Sequence, residues 1–465
     1  MGSNKPSPLV TFGRPMRQAY WLFDASNTNL NHGSFGAFPR PVRDALRHYQ
    51  DIMEVNPDAF LRYELPRLLD ISRRAIASFV HVPLNELVLI PNATTGVNTV
   101  LRNLKYQQGD RILYFSTLYG ACEKTVEHLV ETCPGIDSVR VELRYPASDD
   151  ALIGQFRTAV EGEKEGRVKI AIFDTVTSLP GVRMPFERLV EECRKYGVLS
   201  LVDGAHGIGH LPLNLGSLDA DFFVSNCHKY VMSDLPFNPI SSLPLGGWCI
   251  LTSLTRWLYV PRGCALLHVP NRNQSLIRSS YPTSHGFVPV MRPGKTRITN
   301  PLPPSGKPPF VETFEFVGTM DYSPYLCIPA ALKFRTEVCG GEKNIMEYCV
   351  KVAYSGARQV AEILGTEVLN NEEGTMTRQS CMVNVRLPLK LGEDIGEEHK
   401  GMVVAHISEV LVNEYRGFIA TVLHNGVWWA RVCGQIYLDI EDFKYGGRCL
   451  LEVCDKIKND LTWRT

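Results

Sequence analysis

An aspartate and a lysine stand at the ends of two successive apolar runs. Val198-Leu199-Ser200-Leu201-Val202 leads into Asp203-Gly204-Ala205-His206, and Phe222-Phe223-Val224 leads into Ser225-Asn226-Cys227-His228-Lys229. Short apolar runs of this kind read as buried strands. The ends of neighbouring parallel strands converge on the crevice where α/β proteins bind cofactors. A lysine amine there can hold an aldehyde as a Schiff base, and a carboxylate on the next strand end can keep a pyridinium nitrogen protonated. The pair therefore suits pyridoxal phosphate, with Lys229 and Asp203 in those two roles. Taken singly, an Asp after a strand is often a helix cap and a Lys a solvated loop residue. The combination with Ser225 and His228 favours chemistry.

Other residues fit around this pair. Asn92-Ala93-Thr94-Thr95-Gly96 stands where a strand hands over to a helix. Free backbone N–H groups, the Thr94 and Thr95 hydroxyls and the helix dipole make such a junction a phosphate cradle. An ordinary Thr N-cap is the alternative. Ser225 and His228 would complete the anion shell from the lysine loop. Tyr119, at a helix start, is placed to lie over a pyridine ring or deliver a proton, or to be a half-buried aromatic. His206 and His210 have i, i+4 spacing, but no acidic residue or third ligand accompanies them, so a metal is not expected. His206 fits better as a hydrogen-bond partner of the coenzyme's phenolic oxygen. Asp174-Thr175-Val176-Thr177-Ser178 follows another strand and brings Ser178 toward the same crevice. Arg431, inside the apolar run Trp428-Trp429-Ala430-Arg431-Val432, must find an anion. Its planar fork matches an α-carboxylate, and a buried structural ion pair is the alternative.

The elements that must position these residues alternate. Strands are expected at 86–90, 112–115, 168–173, 198–202, 222–224 and 263–268, the last closing the sheet. Helices are expected over 92–104, 120–131 and 186–196, after two N-terminal helices over 40–53 and 66–80. This alternation predicts an α/β fold, a mostly parallel sheet with helices on both faces. Residues 281–309 are rich in Pro, Gly and Ser and read as a connection. Helices over 330–338, 342–364 and 441–457 and strands at 381–385 and 428–432 then predict a smaller C-terminal α/β domain. The expected division is an N-terminal arm 1–57, a large domain 58–325 and a small domain 326–465.

Composition narrows the function class. The 465 residues carry 49 Lys+Arg against 49 Asp+Glu, and no basic stripe with interleaved aromatics, so no nucleic-acid or anionic-membrane partner is expected. Thirteen Cys without a C-x-x-C pair read as reduced thiols of a cytoplasmic protein. Neither a secretory leader nor a membrane helix is expected; the uncharged stretch 235–255 is broken by Pro236, Pro239 and Pro244.

Six stretches are more specific still: Asn31-His32-Gly33-Ser34-Phe35-Gly36, Gly96-Val97-Asn98-Thr99-Val100-Leu101-Arg102-Asn103, Tyr119-Gly120-Ala121-Cys122, Ser225-Asn226-Cys227-His228-Lys229, Thr283-Ser284-His285-Gly286-Phe287-Val288-Pro289 and Phe314-Glu315-Phe316-Val317-Gly318-Thr319. Through them the chain resembles the class V, fold-type I pyridoxal phosphate enzymes over nearly its whole length. The branch it resembles includes isopenicillin N epimerase-like proteins and hercynylcysteine sulfoxide lyase. The resemblance implies a large domain built on a mostly parallel seven-stranded sheet. It implies Lys229 as the Schiff-base lysine, Asp203 on the ring nitrogen, Arg431 on the carboxylate of a small-molecule amino-acid substrate, and Asn31, His32 and Ser34 beside that substrate. It also implies Thr319 reaching the phosphate of a neighbouring subunit's coenzyme, hence a homodimer with shared active sites.

The implied reaction is β-elimination, with Lys229 taking the Cα proton, Tyr119 serving the leaving sulfur, and pyruvate and ammonia released. Epimerisation, cysteine desulfhydration or desulfuration, and aminotransferase-like chemistry are alternatives on the same scaffold. A persulfide-forming desulfurase would need a reactive exposed Cys, which neither Cys381 in a strand nor Cys227 beside the lysine resembles. The chain departs from the family at His206, where the sulfoxide lyase branch has Gln. It departs again at His424-Asn425-Gly426-Val427, which lacks a basic cluster. Relatives also run from the lysine straight into Trp, whereas Tyr230 to Arg256 here separates Lys229 from Trp257-Leu258. That aperiodic insert reads as a retained intron, with a genuine surface excursion or a spoiled, inactive site as the alternatives.

Overall fold

The computed structural model describes residues 7–162, 166–227, 257–290, 293–294, 300 and 302–459. The larger of its two sheets contains β1 (Leu87–Ile90), β2 (Asp110–Phe115), β3 (Asp137–Val141), β4 (Arg167–Asp174), β5 (Leu199–Asp203), β6 (Phe222–Asn226) and β7 (Ala265–His268). Their spatial order is β1-β7-β6-β5-β4-β2-β3. Pairings from β6 through β3 are parallel, and β7 runs antiparallel to both of its neighbours. The fold is the expected seven-stranded, mostly parallel α/β sheet.

β7 does not close that sheet. It lies inside, between β1 and β6, because all four of its residues are buried and both of its edges are hydrogen-bonded. The real edges are β1 and β3. β3 escapes the sequence reading because Asp-Ser-Val-Arg-Val is an edge strand with one buried residue and no apolar run. Strict alternation along the central strands feeds two cores. Ile112, Tyr114, Ile170, Ile172, Phe222 and Val224 face one layer. Leu113, Phe115, Ala171, Phe173 and Phe223 face the other.

The helix Ala93–Asn103 is seated by two side chains and one missing side chain. Asn92, not a threonine, is its N-cap: its side-chain oxygen accepts the Thr95 N–H at 2.8 Å. The Ala93 N–H donates to Asn226 Oδ1 at 2.8 Å, so the end of β6 and the start of this helix are one unit. A Cβ on Gly96 would come within 2.6 Å of Val224 Cγ1 and 2.7 Å of Ile90 Cδ1, so glycine lets the helix lie directly on the sheet.

The second sheet, β8 (Met382–Lys390), β9 (Ala420–His424) and β10 (Val427–Cys433), is antiparallel in the order β8-β10-β9. The helices Glu342–Leu364 and Ile440–Asn459 pack beside it, with Gly356 against the Phe443 ring. β9 and the helix Lys400–Asn413 were not expected from the sequence. The segment His424-Asn425-Gly426-Val427 is the β9–β10 turn, with positive φ at Asn425 and Gly426. Asn384 on β8 pairs in register with Arg431 on β10. The Asn384 side chain grips the loop after β4 on both sides, accepting from the Gly181 N–H at 2.8 Å and donating to the Gly181 carbonyl at 2.9 Å. No helix of the described residues is long and apolar enough to cross a membrane.

Two substitutions test this scaffold. Gly96→Ala forces a methyl into Val224 and Ile90, and is expected to lower stability by about 1–3 kcal/mol in urea unfolding. Asn384→Ala strips partners from two buried backbone groups of Gly181, and is expected to lower stability by about 2 kcal/mol in the same measurement.

Candidate active site

The C-terminal ends of β4, β5 and β6 place Asp174, Asp203 and Asn226 side by side, and Asp174 pairs in register with Asp203. Asp203 is 2% exposed. Its Oδ1 accepts the Ala205 N–H at 2.8 Å, and the Cys122 thiol lies 3.7 Å from its Oδ2. Cys122 comes from the helix Gly120–Thr132, whose N-cap position is the half-buried Tyr119. The first turn of the helix Ala93–Asn103 opens beside the same strand ends. Thr95 Oγ1 lies 3.0 Å from Asn92 Oδ1, and no hydrogen bond within the described residues engages the Thr94 amide or hydroxyl.

Ser225 is fully buried, and its hydroxyl faces inward. It donates to the Gly204 carbonyl and accepts the Ile208 N–H at 3.2 Å. It therefore braces the loop that carries His206. Lys229 and His228, and the insert Tyr230 to Arg256, lie outside the described residues. The described chain stops at buried Cys227, one residue beyond β6, and resumes at buried Trp257.

The two histidines of the loop have different surroundings. His206 Nδ1 lies 3.4 Å from Trp257 Nε1. His210 stacks on the Trp257 ring with centroids 4.2 Å apart, and its Nε2 accepts the Cys381 N–H at 2.7 Å. No group of three His, Cys, Asp or Glu among the described residues could hold a metal ion.

Across the crevice stands Arg431, fully buried on β10. Its Nη1 donates to the Ser178 carbonyl at 2.8 Å, and its Nη2 donates to Asn31 Oδ1 at 2.7 Å and to Ser34 Oγ. All of these acceptors are neutral, so the buried ion pair considered from sequence is not among its recorded contacts. Burial pulls the guanidinium pKa below its ordinary value, with nearby Cys433 acting the other way. Three buried polar atoms here, Arg431 Nε, Asn31 Nδ2 and Ser178 Oγ, have no hydrogen-bond partner within the described residues. Two glycines make room. A Cβ on Gly33 would lie 3.2 Å from Arg431 Cζ, and one on Gly181 would lie 3.0 Å from Arg431 Cδ. His32 is held at the same wall, with Nδ1 2.8 Å from the Tyr437 hydroxyl and its ring 5.1 Å from Trp257.

The sequence-predicted residues thus divide. Asp203, His206, Ser178, Arg431, Asn31, His32 and Ser34 are all buried, and contacts through Trp257 and the loop after β4 link them. Thr94, Thr95 and Tyr119 are on helix starts at the same strand ends. Thr319 is exposed, beside Gly318 with φ +103°, and is recorded against none of these groups. Asn384 and Trp257 were missed. Asn384 carries the signal that exposed Arg431, a polar residue inside an apolar run, Met382-Val383-Asn384-Val385. Trp257 carries none, because its partners are 47 and 51 residues upstream.

Comparison with known proteins gives this geometry its context. Residues 37–233 match the model of the family described as Aminotransferase class-V. The chain is 37% identical to the L-cysteine desulfhydrase-like protein lolT1 of Epichloe uncinata, over 97% of this chain and 98% of that protein. It is 25% identical to hercynylcysteine sulfoxide lyase of Schizosaccharomyces pombe, over 95% and 98%. Among solved structures, the cystine C–S lyase C-DES in complex with cysteine persulfide superposes with a TM-score of 0.69 at 20% identity, over 92% of this chain and 98% of that one. A full-length relative at this identity, the family model and the fold-type I architecture agree: the chain belongs to the class V aminotransferase family of pyridoxal-phosphate-dependent enzymes.

Proposed function

We propose that this protein is a C–S lyase that eliminates sulfur from the β-carbon of a cysteine-derived amino acid, in the manner of a cysteine desulfhydrase or hercynylcysteine sulfoxide lyase. The observation that carries the reading is the buried guanidinium of Arg431 among neutral acceptors, its own Nε and the neighbouring Asn31 Nδ2 and Ser178 Oγ having no hydrogen-bond partner among the described residues. A carboxylate would satisfy that arrangement, and a planar fork is the group that grips one. The names of the full-length relatives support the sulfur chemistry.

The donor set also fits the coenzyme: a buried carboxylate at a strand end, a helix N-terminus with two threonines, and a histidine three residues beyond the carboxylate. Pyridoxal phosphate, when bound, supplies the sink for the electrons left by a departing Cα proton. Asp203 would hold a proton at the ring nitrogen. Thr94, Thr95 and His228 would surround the phosphate, Ser225 would brace the loop behind them through Gly204 and Ile208, and Ser178 would line the same crevice. Lys229 would hold the coenzyme and then take the Cα proton. Arg431, with Asn31, His32 and Ser34 around it, would fix the substrate carboxylate, so the Cα–H bond has one orientation. Tyr119 would give a proton to the sulfur as the C–S bond breaks, and the three-carbon enamine left would hydrolyse to pyruvate and ammonia. Among the described cysteines none fits persulfide capture. Cys381 is buried, and burial raises its thiol well above the ordinary value. Cys133, the one half-buried free cysteine described, is at the far end of the helix that starts at Tyr119.

A second copy of the chain belongs to this reading. Thr319 is exposed, and Tyr281, Val288 and Val290 in the preceding connection are at least half exposed. In a homodimer of shared sites Thr319 would reach the partner's coenzyme. The enzyme is proposed to be cytoplasmic.

The test is product analysis on the full 465-residue chain loaded with pyridoxal phosphate, given L-cysteine and hercynylcysteine sulfoxide separately. Pyruvate from either is expected, and the faster substrate names the sulfur substituent. Solvent hydrogen at Cα without pyruvate would replace elimination by epimerisation. Arg431→Met should keep the coenzyme's visible band and lower kcat/KM about 100-fold, the worth of a buried charge-assisted pair.

A further inference from the structure

An indole nitrogen only donates. Trp257 Nε1 lies 3.4 Å from His206 Nδ1, and both side chains are buried, His206 completely. The imidazole nitrogen facing that N–H must therefore offer a lone pair, and the ring's single proton must be on Nε2. A proton on Nδ1 would set two N–H groups against each other inside the protein.

Trp257 is itself held from several sides. Its ring stacks on His210, whose Nε2 accepts the Cys381 N–H. Its carbonyl accepts from Arg335 Nη1 at 2.6 Å, and Arg335 Nη2 lies 3.4 Å from the Gly209 carbonyl, on the loop that carries His206. Arg335 is fully buried and gripped by both oxygens of Glu342. Gly209, at φ +72°, presses its backbone against Trp257, and a Cβ there would come within 2.8 Å of the Trp257 carbonyl carbon. The indole is thus locked relative to the histidine loop by contacts that a phenyl ring of the same attitude would largely keep.

We propose that Trp257 is a positioning residue: its indole N–H holds His206 in the Nε2–H tautomer and makes that histidine a hydrogen-bond donor at the site. This rests on the reading of His206 as a neighbour of the coenzyme's phenolic oxygen. An Nε2–H there supports the oxygen as an anion, whereas a lone pair would oppose it. It also gives His206 a role that Gln can share only through its amide N–H. The tautomer itself requires no coenzyme.

The test uses the full chain labelled with ¹⁵N at histidine, first without coenzyme, with the His206 signals assigned by their loss in His206→Gln. The expected result is a proton on Nε2 and none on Nδ1, by a preference of roughly fivefold or more, the worth of one buried hydrogen bond. In Trp257→Phe that preference should collapse to a mixture. With coenzyme bound, Trp257→Phe should alter the visible band, and the same substitution made on His206→Gln should not, because Gln has no tautomer to lose. That last comparison separates positioning from a loss of packing. A wild-type His206 that carries its proton on Nδ1 overturns the proposal, and so does a preference unchanged in Trp257→Phe. If the tautomer is as expected but the chain takes up no coenzyme, the role of Trp257 stands and the cofactor reading beneath it fails.

Discussion

A guanidinium buried without a recorded counter-charge is the constraint on which this structure turns. Taking such a group out of water costs several kcal/mol even after relaxation. Among the described residues its hydrogen bonds go only to dipoles, those of the Ser178 carbonyl, the Asn31 amide and the Ser34 hydroxyl. Low dielectric around the buried group strengthens whatever field those dipoles leave unbalanced.

Holding that charge in place occupies parts of the chain far apart in function. Gly33 and Gly181 leave the slot in which the side chain lies. Asn384, opposite Arg431 in the small sheet, binds the loop after β4 by both of its polar atoms. The large sheet contributes the loop, the small sheet the charge, and the N-terminal turn at His32–Phe35 the third wall. The strand ends of the large sheet are built differently, with short local contacts, a capped helix and a glycine-tight seat on the sheet.

That difference decides what could be read from sequence. Asp203 was legible because a charge ending an apolar run is a local signal, and Arg431 because a charge inside one is equally local. A threonine cap is the sequence's alternative at 92–96, and Asn92 caps instead, because Asn92, Thr94 and Thr95 all compete for one role. Ser225 was placed toward the phosphate, but no pattern states which way a hydroxyl turns, and here it turns to Gly204. β7 was placed at the sheet's margin because chain order does not give spatial order. β3 has too little burial to leave an apolar trace. Trp257 meets His206 only through folding, across 51 residues. Lys229 and His228 were the clearest residues in the sequence and lie outside the described structure, so their roles rest on Asp203, Asn226 and the family.

Arg431 and its partner Asn31 are 400 residues apart in the chain. On a ribosome adding 5–20 residues per second, about 20 to 80 seconds separate the synthesis of the one from the other. Until β10 is made, Asn31, Ser34 and the Ser178 carbonyl have no guanidinium to gather around. The strands of the large sheet and the guanidinium on the small one are therefore separated in time during biosynthesis. A ribosome that stalls before β10 releases a polypeptide that carries every strand of the large sheet and lacks Arg431.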